Sequence, residues 1–137
     1  MIKSQSKSRA RALQLLYAWE LMDRPEPSTV ISALARLTGP EPTVLDLAER
    51  YLTGVTEDLP RLDALAAAAT DHWRLERLAL VDRNILRIGT WELLQPHVPA
   101  AGAIDQAVWL AQRFGGPQSP GFVNGVLDRV ARQLGRL

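Results

Sequence analysis

Apolar residues recur along most of the chain at spacings of three and four positions, which is the period of one face of an α-helix. The two-position alternation that is typical of strands does not extend over any segment. We therefore predict an all-α fold of about seven helices joined by short connections. The expected core comprises Leu13, Leu16, Leu52, Val55, Ile85, Ile88, Ile104, Val108, Phe122 and Val126.

Prolines, glycines and small hydroxyl residues predict where the helices begin and end. Ser28 or Thr29 can cap the second helix, and Pro60 is expected to bend or break the chain between the third and fourth. Gly115, Gly116 and Pro117 are expected to stop the sixth. The first helix is expected to carry its apolar face on Ala10, Leu13, Tyr17 and Leu21.

The segment GFVNGVLDRVARQL, residues 121–134, gives two conflicting signals. Asn124-Gly125 is a strong turn signal and favours a tight hairpin. Phe122, Val126 and Val130 nevertheless follow the helical period, and no alternation continues beyond the pair. We predict a helix, in which Gly125 needs a structural reason because an interior glycine costs about 1 kcal/mol relative to alanine.

Composition narrows the class of protein. The 137 residues are 47% hydrophobic and 23% charged, which suits a single globular domain with a real core. The absence of cysteine excludes disulfides, thiolate catalysis and cysteine-ligated zinc, and it favours a cytoplasmic location. No apolar run in the sequence is long enough to span a membrane.

The residues offer no set that could carry catalysis or hold a metal. His72 and His97 lack the spacing and the carboxylate companions of a metal site, so ordinary solvated histidines are the favoured interpretation. Glu92 sits in an apolar helix, but a lone carboxylate without a nucleophile does not make an active site. We therefore predict a protein that is not an enzyme and has no cofactor.

Charge is unevenly distributed although the formal net charge is only +1. Residues 1–19 contain four basic side chains and no acid, and residues 106–127 contain Arg113 and no acid. Cations at a helix N-terminus oppose the helix dipole, so these residues suit a phosphate ligand better than helix stability. The alternative is a solvated, frayed tail, expected over about residues 1–7. Composition and spacing lead no further than a small helical protein that could bind single-stranded nucleic acid.

Three segments resemble the NusB family of bacterial transcription antitermination factors. They are SRARALQLLYAWEL, LVDRNILRIGTWELL and VPAAGAIDQAVWLAQRFGGPQSPGFVNGVLDRVAR, in that order and spacing. The match covers almost the whole chain and is most specific at FVNGVLD. The resemblance implies two roughly perpendicular helical bundles in one NusB-like domain over residues 1–137. It also implies binding of boxA-like RNA together with a small-subunit ribosomal protein, NusE, in RNA polymerase complexes that transcribe ribosomal RNA operons.

The resemblance also implies roles for individual residues. Arg9 is the strongest candidate for an RNA contact. The full expected RNA face comprises Lys3, Lys7, Arg9, Arg11, Gln14, Gly115, Gly116, Gln118 and Ser119. The expected partner-binding residues are Arg74, Leu78, Asp82 and Arg83, although an acid at Asp82 would favour the start of any helix. Phe122, Asn124 and Gly125 are expected to be structural, with Gly125 at a close helix crossing and Asn124 bonded to backbone groups.

This chain departs from the family pattern at Ala10 and at Asp105-Gln106, and its loop GGPQSPG lacks the acids that the family often carries there. The missing carboxylates are expected to favour phosphate. One alternative function is an RNA-binding module acting with a ribosomal-RNA methyltransferase, although the chain ends too soon after the last motif for a cofactor domain. A second is a structural helical homodimer, which salt would affect differently from RNA binding.

Overall fold

The computed structural model of the protein describes residues 2–34, 42–70 and 75–137, with side chains throughout except at residues 2–4, 42–43 and 76. The described residues form seven α-helices and one 3-10 turn, and none of them lies in a strand. The all-α prediction is therefore confirmed. The helices are Ile2–Leu21 (α1), Pro27–Leu34 (α2), Pro42–Glu57 (α3), Leu59–Ala68 (α4), Leu80–Leu93 (α5), Ala100–Phe114 (α6) and Ser119–Gln133 (α7); the 3-10 turn is Leu75–Arg77.

The chain divides into two compact units, Met1–Glu57 and Asp58–Leu137. In the first unit, α1 packs along α3, and α2 contacts both of them. The core of this unit is apolar and fully enclosed at Leu15, Leu16, Val30, Leu52 and Val55. This packing makes α1 a helix with one covered and one open face.

The covered face of α1 agrees only in part with the sequence prediction, since Leu13 and Leu16 are buried as expected. Leu15, Leu16 and Trp19 are buried, whereas Tyr17 is 43% exposed and Leu21 is 68% exposed. Both sets of apolar residues satisfy the helical period, so the period alone does not tell which set the neighbouring helix covers. The prediction that Tyr17 and Leu21 face the core is therefore wrong.

The end of α1 is closed by a Schellman motif. The Arg24 N–H donates to the Trp19 carbonyl at 2.9 Å, and the Asp23 N–H donates to the Glu20 carbonyl at 3.1 Å. Asp23 and Arg24 adopt φ angles of 66° and 56°, in the left-handed region that favours glycine. The turn is thus formed without the residue type that fits it best.

In the second unit, α5 is the central helix and packs against α4, α6 and α7. Its residues from Asn84 to Thr90 are buried without interruption. At Gly89 a Cβ would lie 2.5 Å from the Leu127 Cδ1 atom of α7. This glycine therefore permits the close approach of α5 and α7.

Gly125 does not have that role, and the prediction of a close crossing there is wrong. Gly125 is exposed, and a Cβ on it would meet no described atom within 4 Å. Asn124 is exposed as well, while Phe122 is half-buried. The pair lies on the outer face of α7, because Val123, Val126 and Leu127 occupy the inner one.

A partly buried ion pair joins α4 to α5. Arg87 donates from Nε to Asp63 Oδ1 at 2.8 Å and from Nη2 to Asp63 Oδ2 at 2.9 Å. Its third donor, Nη1, reaches Asn84 Oδ1 at 2.9 Å. The guanidinium is thereby held in a bidentate geometry, which is the strongest arrangement for such a pair.

Two further arginines of the second unit satisfy carbonyls at helix ends. Arg129 donates to the Ala69 carbonyl after α4 at 3.1 Å. Arg136 donates to the carbonyls of Leu93, Gln95 and Val98 at the end of α5. These contacts bind the last carbonyl of α5 and carbonyls of the connections that follow α4 and α5.

The predicted helix ends were correct for some helices and wrong for α2. α7 is a helix rather than a hairpin, α6 ends before Gly115, and Pro60 lies in the first turn of α4, as the sequence predicted. α2 begins at Pro27, so a cap at Ser28 or Thr29 is wrong; proline fits that first turn because its missing N–H would have no partner there.

Eight of the ten expected core residues are buried, whereas Val108 and Phe122 are half-buried. None of the described helices is both long and apolar enough to cross a membrane.

Candidate RNA-binding surface

The open face of α1 carries a polar stripe formed by Lys7, Arg11 and Gln14. These residues are four and three positions apart, which aligns them along one side of the helix. Lys7 and Gln14 are exposed and Arg11 is half-exposed. Arg11 Nη1 donates to Gln14 Oε1 at 2.9 Å, which orients the Gln14 amide beside the charge. The side chain of Lys3, which the sequence placed in the same stripe, lies outside the described residues.

Arg9 lies on the opposite side of α1 and is only 6% exposed. Its guanidinium carbon is 5.9 Å from the centre of the Tyr51 ring of α3, within the range of a cation–π interaction. A buried guanidinium packed on a neighbouring helix is poorly placed to meet a phosphate. The placement argues against Arg9 as the strongest RNA contact and favours Lys7 and Arg11.

The loop between α6 and α7 is built by Gly115 and Ser119. The Gly116 N–H donates to Ser119 Oγ at 2.9 Å, and Ser119 is 5% exposed. A Cβ at Gly115 would lie 2.6 Å from Ser119 Oγ and 2.8 Å from the Ala111 carbonyl, so only glycine fits there. Ser119 therefore shapes the loop, while Gly116 and Gln118 are exposed and available to a ligand.

A basic and aromatic cluster precedes this loop at the end of α6. The Arg113 guanidinium carbon lies 5.8 Å from the centre of the Trp109 ring and 5.9 Å from that of Phe114. Arg113 is exposed, and Phe114 is 37% exposed. From the sequence, Arg113 was recognised only as a charge, although its four-residue spacing from Trp109 could have indicated that the two side chains lie side by side.

The α1 stripe belongs to the first unit, and the loop with its cluster belongs to the second. Each is an exposed polar surface in its own unit. That they form one continuous RNA face stays a prediction.

The expected partner-binding residues lie around the 3-10 turn, except that Arg74 is outside the described residues. Arg83 Nη2 donates to the carbonyl of Leu78 at 3.1 Å, so this arginine stabilises the turn. Asp82 lies in the first turn of α5 and is half-buried. Its Oδ1 atom is buried and accepts no hydrogen bond from the described residues. Asp82 is thus positioned to favour the start of α5 through its charge.

The remaining titratable candidates do not cluster. Glu92 is buried in α5 and His97 is exposed, while His72 is outside the described residues. Among the residues that the structure describes, no group of three or more histidines and carboxylates could hold a metal ion.

Comparison with known proteins identifies the family. The sequence profile of the NusB family matches residues 6–132. The transcription antitermination protein NusB of Sorangium cellulosum (strain So ce56) is 45% identical over 135 residues, which cover 98% of this chain and 96% of the relative. T. maritima NusB has a TM-score of 0.82 and 31% identity, covering 93% of this chain and 90% of that structure.

A crystal structure of the antitermination factors NusB and NusE in complex with dsRNA shares the fold, with a TM-score of 0.84. It is 21% identical and covers 97% of this chain and 99% of that structure. The family profile covers most of the sequence, and the relative of 45% identity covers nearly all of it. The chain therefore belongs to the NusB family.

Proposed function

We propose that this protein is a transcription antitermination factor that binds boxA-like RNA together with the ribosomal protein NusE and acts in transcription of ribosomal RNA operons. Its relatives are transcription antitermination proteins, and a solved structure of the same fold is a complex of NusB, NusE and RNA. The observation that carries the proposal is the exposed stripe of Lys7, Arg11 and Gln14 on α1.

The stripe has the chemistry that RNA requires. Lys7 and Arg11 can neutralise phosphates, which releases bound counterions and makes affinity fall as salt rises. Gln14 carries both a donor and an acceptor, and its amide can bind the edge of an unpaired base. The first acid of the chain is Glu20, at the far end of α1, so no carboxylate interrupts the stripe.

The loop between α6 and α7 provides a second contact of the same kind. Gly116 and Gln118 are exposed, and the sequence contains no acid from residue 106 to residue 127. The Gln118 amide can donate to a phosphate, and Gly116 has no side chain that would keep the phosphate away. The loop therefore supports binding but adds little charge to it.

The small number of cations predicts a modest intrinsic affinity. The net charge is +1, and with Arg9 buried few basic residues of α1 can reach phosphate. A second RNA-binding protein would supply the missing contacts, and NusE is present with NusB and dsRNA in the related complex. The proposal therefore requires the partner for tight binding.

The test is an affinity titration with a boxA-like oligonucleotide over a range of salt concentrations. Lys7→Ala combined with Arg11→Ala should weaken binding and reduce the salt slope by about one per residue, because each residue neutralises about one phosphate. Arg61→Ala combined with Arg132→Ala is the matched control, since both are exposed arginines that pair with a neighbouring acid. Equal affinity and slope in the parent and the α1 variant would contradict the assignment.

The same titration should compare single-stranded with double-stranded RNA, because the related complex contains dsRNA. We expect the single strand to bind more tightly, since Gln14 can reach a base edge only when that base is unpaired. Association of apolar surfaces into a homodimer would instead be insensitive to salt or would strengthen with it. Preferential binding of the duplex would limit the role of the stripe to phosphate contacts.

A further inference from the structure

We propose that Trp109, Arg113 and Phe114 form a stacking platform for one unpaired base of the bound RNA. The platform lies at the end of α6, immediately before the exposed loop that contains Gly116 and Gln118. This inference rests on the proposed RNA-binding function. It assigns the recognition of a base to a cluster outside the RNA contacts predicted from the sequence.

The geometry of Arg113 is unusual for a surface arginine. Its guanidinium lies within 6 Å of both ring centres, at 5.8 Å from Trp109 and 5.9 Å from Phe114. Among the described residues it has no ion pair or hydrogen bond, whereas Arg132 on α7 is paired with Asp128 at 2.9 Å. The guanidinium therefore lies beside both rings while its charge and its donors stay available.

The electrostatic surroundings favour an anionic ligand. No acid occurs from residue 106 to residue 127, and the nearest acid on α6 is Asp105. Asp105 is two helical turns before Arg113, about 12 Å along the axis. A phosphate next to Arg113 would therefore meet little repulsion from this helix.

The shape and size of the cluster favour a base over a protein partner. Aromatic rings and guanidinium planes offer flat surfaces on which any base can stack. Phe114 is the large exposed hydrophobic residue of this cluster, and a stable protein interface buries about 800 Å² on each partner. A single base is small enough to stack on one exposed ring, and Gln118 lies only four positions after Phe114, where we expect it to contact the next nucleotide.

The decisive variants separate stacking from charge. Arg113→Lys keeps the charge but removes the plane, and Trp109→Leu keeps an apolar side chain but removes the ring. With a single-stranded boxA-like oligonucleotide, each should lower the affinity at least about fivefold while leaving the salt slope unchanged. Arg132→Lys is the matched control and should bind as the parent does. Circular dichroism should show the parent helix content in all three variants.

Oligonucleotides in which one base at a time is replaced by an abasic ribose identify the stacked base. One position should weaken binding to the parent but not to Trp109→Leu, because that variant has already lost the stack. If every abasic position weakens binding to Trp109→Leu as much as it weakens binding to the parent, the stacking platform is wrong.

The two proposals fail differently. If the α1 variant loses affinity and salt dependence while Arg113→Lys and Trp109→Leu bind as the parent, the platform is wrong and the proposed function stands. If the parent protein binds neither RNA form, with or without the ribosomal protein, both are overturned.

Discussion

Gly89 and Gly125 lie in facing helices of the second unit but in opposite surroundings. A Cβ at Gly89 would lie 2.5 Å from Leu127 Cδ1 and 3.1 Å from its Cδ2, and Leu127 is itself fully buried. A Cβ at Gly125 would meet no described atom within 4 Å. From the sequence we predicted close packing at Gly125 and made no prediction for Gly89, because an Asn-Gly pair is a strong turn signal whereas a glycine within RIGTWEL carries no such signal.

Alanine at these two positions should change stability in opposite directions. Gly89→Ala should lower the free energy of unfolding by about 1–3 kcal/mol, because the buried Leu127 side chain has little room to move. Gly125→Ala should raise it by about 0.5–1 kcal/mol, since an exposed helix interior gains from a better helix former. Urea titration of both variants measures the two effects. Equal effects would contradict the assigned α5 and α7 packing.

Asp23 offers a further test at the scale of one residue. Its φ of 66° lies in the left-handed region, where most side chains are strained and glycine is not. Asp23→Gly should therefore raise the free energy of unfolding by about 0.5–1 kcal/mol. Asp23→Ala serves as the control and should lower stability. A loss in both variants would show that the aspartate side chain stabilises the turn by a contact of its own.

At the scale of helices, the sequence predicted which segments are helical but not always which face is covered. On α1, Leu13 and Leu16 are buried as predicted, but the covered face continues through Trp19 rather than through Tyr17 and Leu21. Arg9 was misread for the same reason, because a basic residue among basic residues looks exposed until its neighbour, Tyr51, is known. The spacing of apolar residues along the chain indicates which segments are helices. Which face of each helix is covered depends on contacts with residues that are distant in sequence.

The ion pair between Asp63 of α4 and Arg87 of α5 was not predicted from the sequence. An arginine in the apolar run of α5 could have indicated a buried partner, but Asp63 is 24 positions from Arg87 and no local pattern links them. The side chain of Arg87 is 3% exposed and that of Asp63 is 30% exposed. Loss of Asp63 would therefore leave a nearly buried cation without its counter-charge.

Asp63→Asn should lower the free energy of unfolding by about 1–3 kcal/mol, less than for a fully enclosed pair because Asp63 is partly solvated. Asp128→Asn removes the exposed pair with Arg132 on α7 and should cost at most about 0.5 kcal/mol. Thermal or urea unfolding measures both. A cost for Asp63→Asn no larger than that of the surface control would show that water replaces the carboxylate without penalty.

For the whole molecule, the family and its RNA chemistry could be inferred from sequence more securely than the residues of the site. The three quoted segments span nearly the whole chain, and the family profile matches residues 6–132. Whether each predicted site residue is exposed depends on how the helices pack. Lys7 is exposed, whereas Arg9 and Ser119 are buried. The contact between Trp109 and Arg113 was recognised only from the distance between them in the structure.

The docking of the ribosomal protein is the prediction that concerns the assembled complex. Asp82 presents a buried carboxylate oxygen that accepts no hydrogen bond within the described residues, next to the turn that Arg83 holds through Leu78. The Asp82 carboxylate is half-buried beside this turn, and a cation of the docked protein would pair with its charge. Its other role, favouring the first turn of α5, requires only a negative charge there.

Mixing the protein with the NusE of its own organism should give a one-to-one complex that binds boxA-like RNA more tightly than either component alone. Asp82→Lys should weaken that complex by reversing a charge at the contact, while its affinity for RNA without the partner stays unchanged. Asp82→Asn keeps the shape of the side chain and an acceptor oxygen, so it should weaken docking less. It also controls for a loss of binding that is caused by misfolding. Asp46→Lys, an exposed reversal on α3, is the matched control for net charge. Calorimetric titration measures all four proteins, and a complex as tight for Asp82→Lys as for the parent would place the docking surface elsewhere on the molecule.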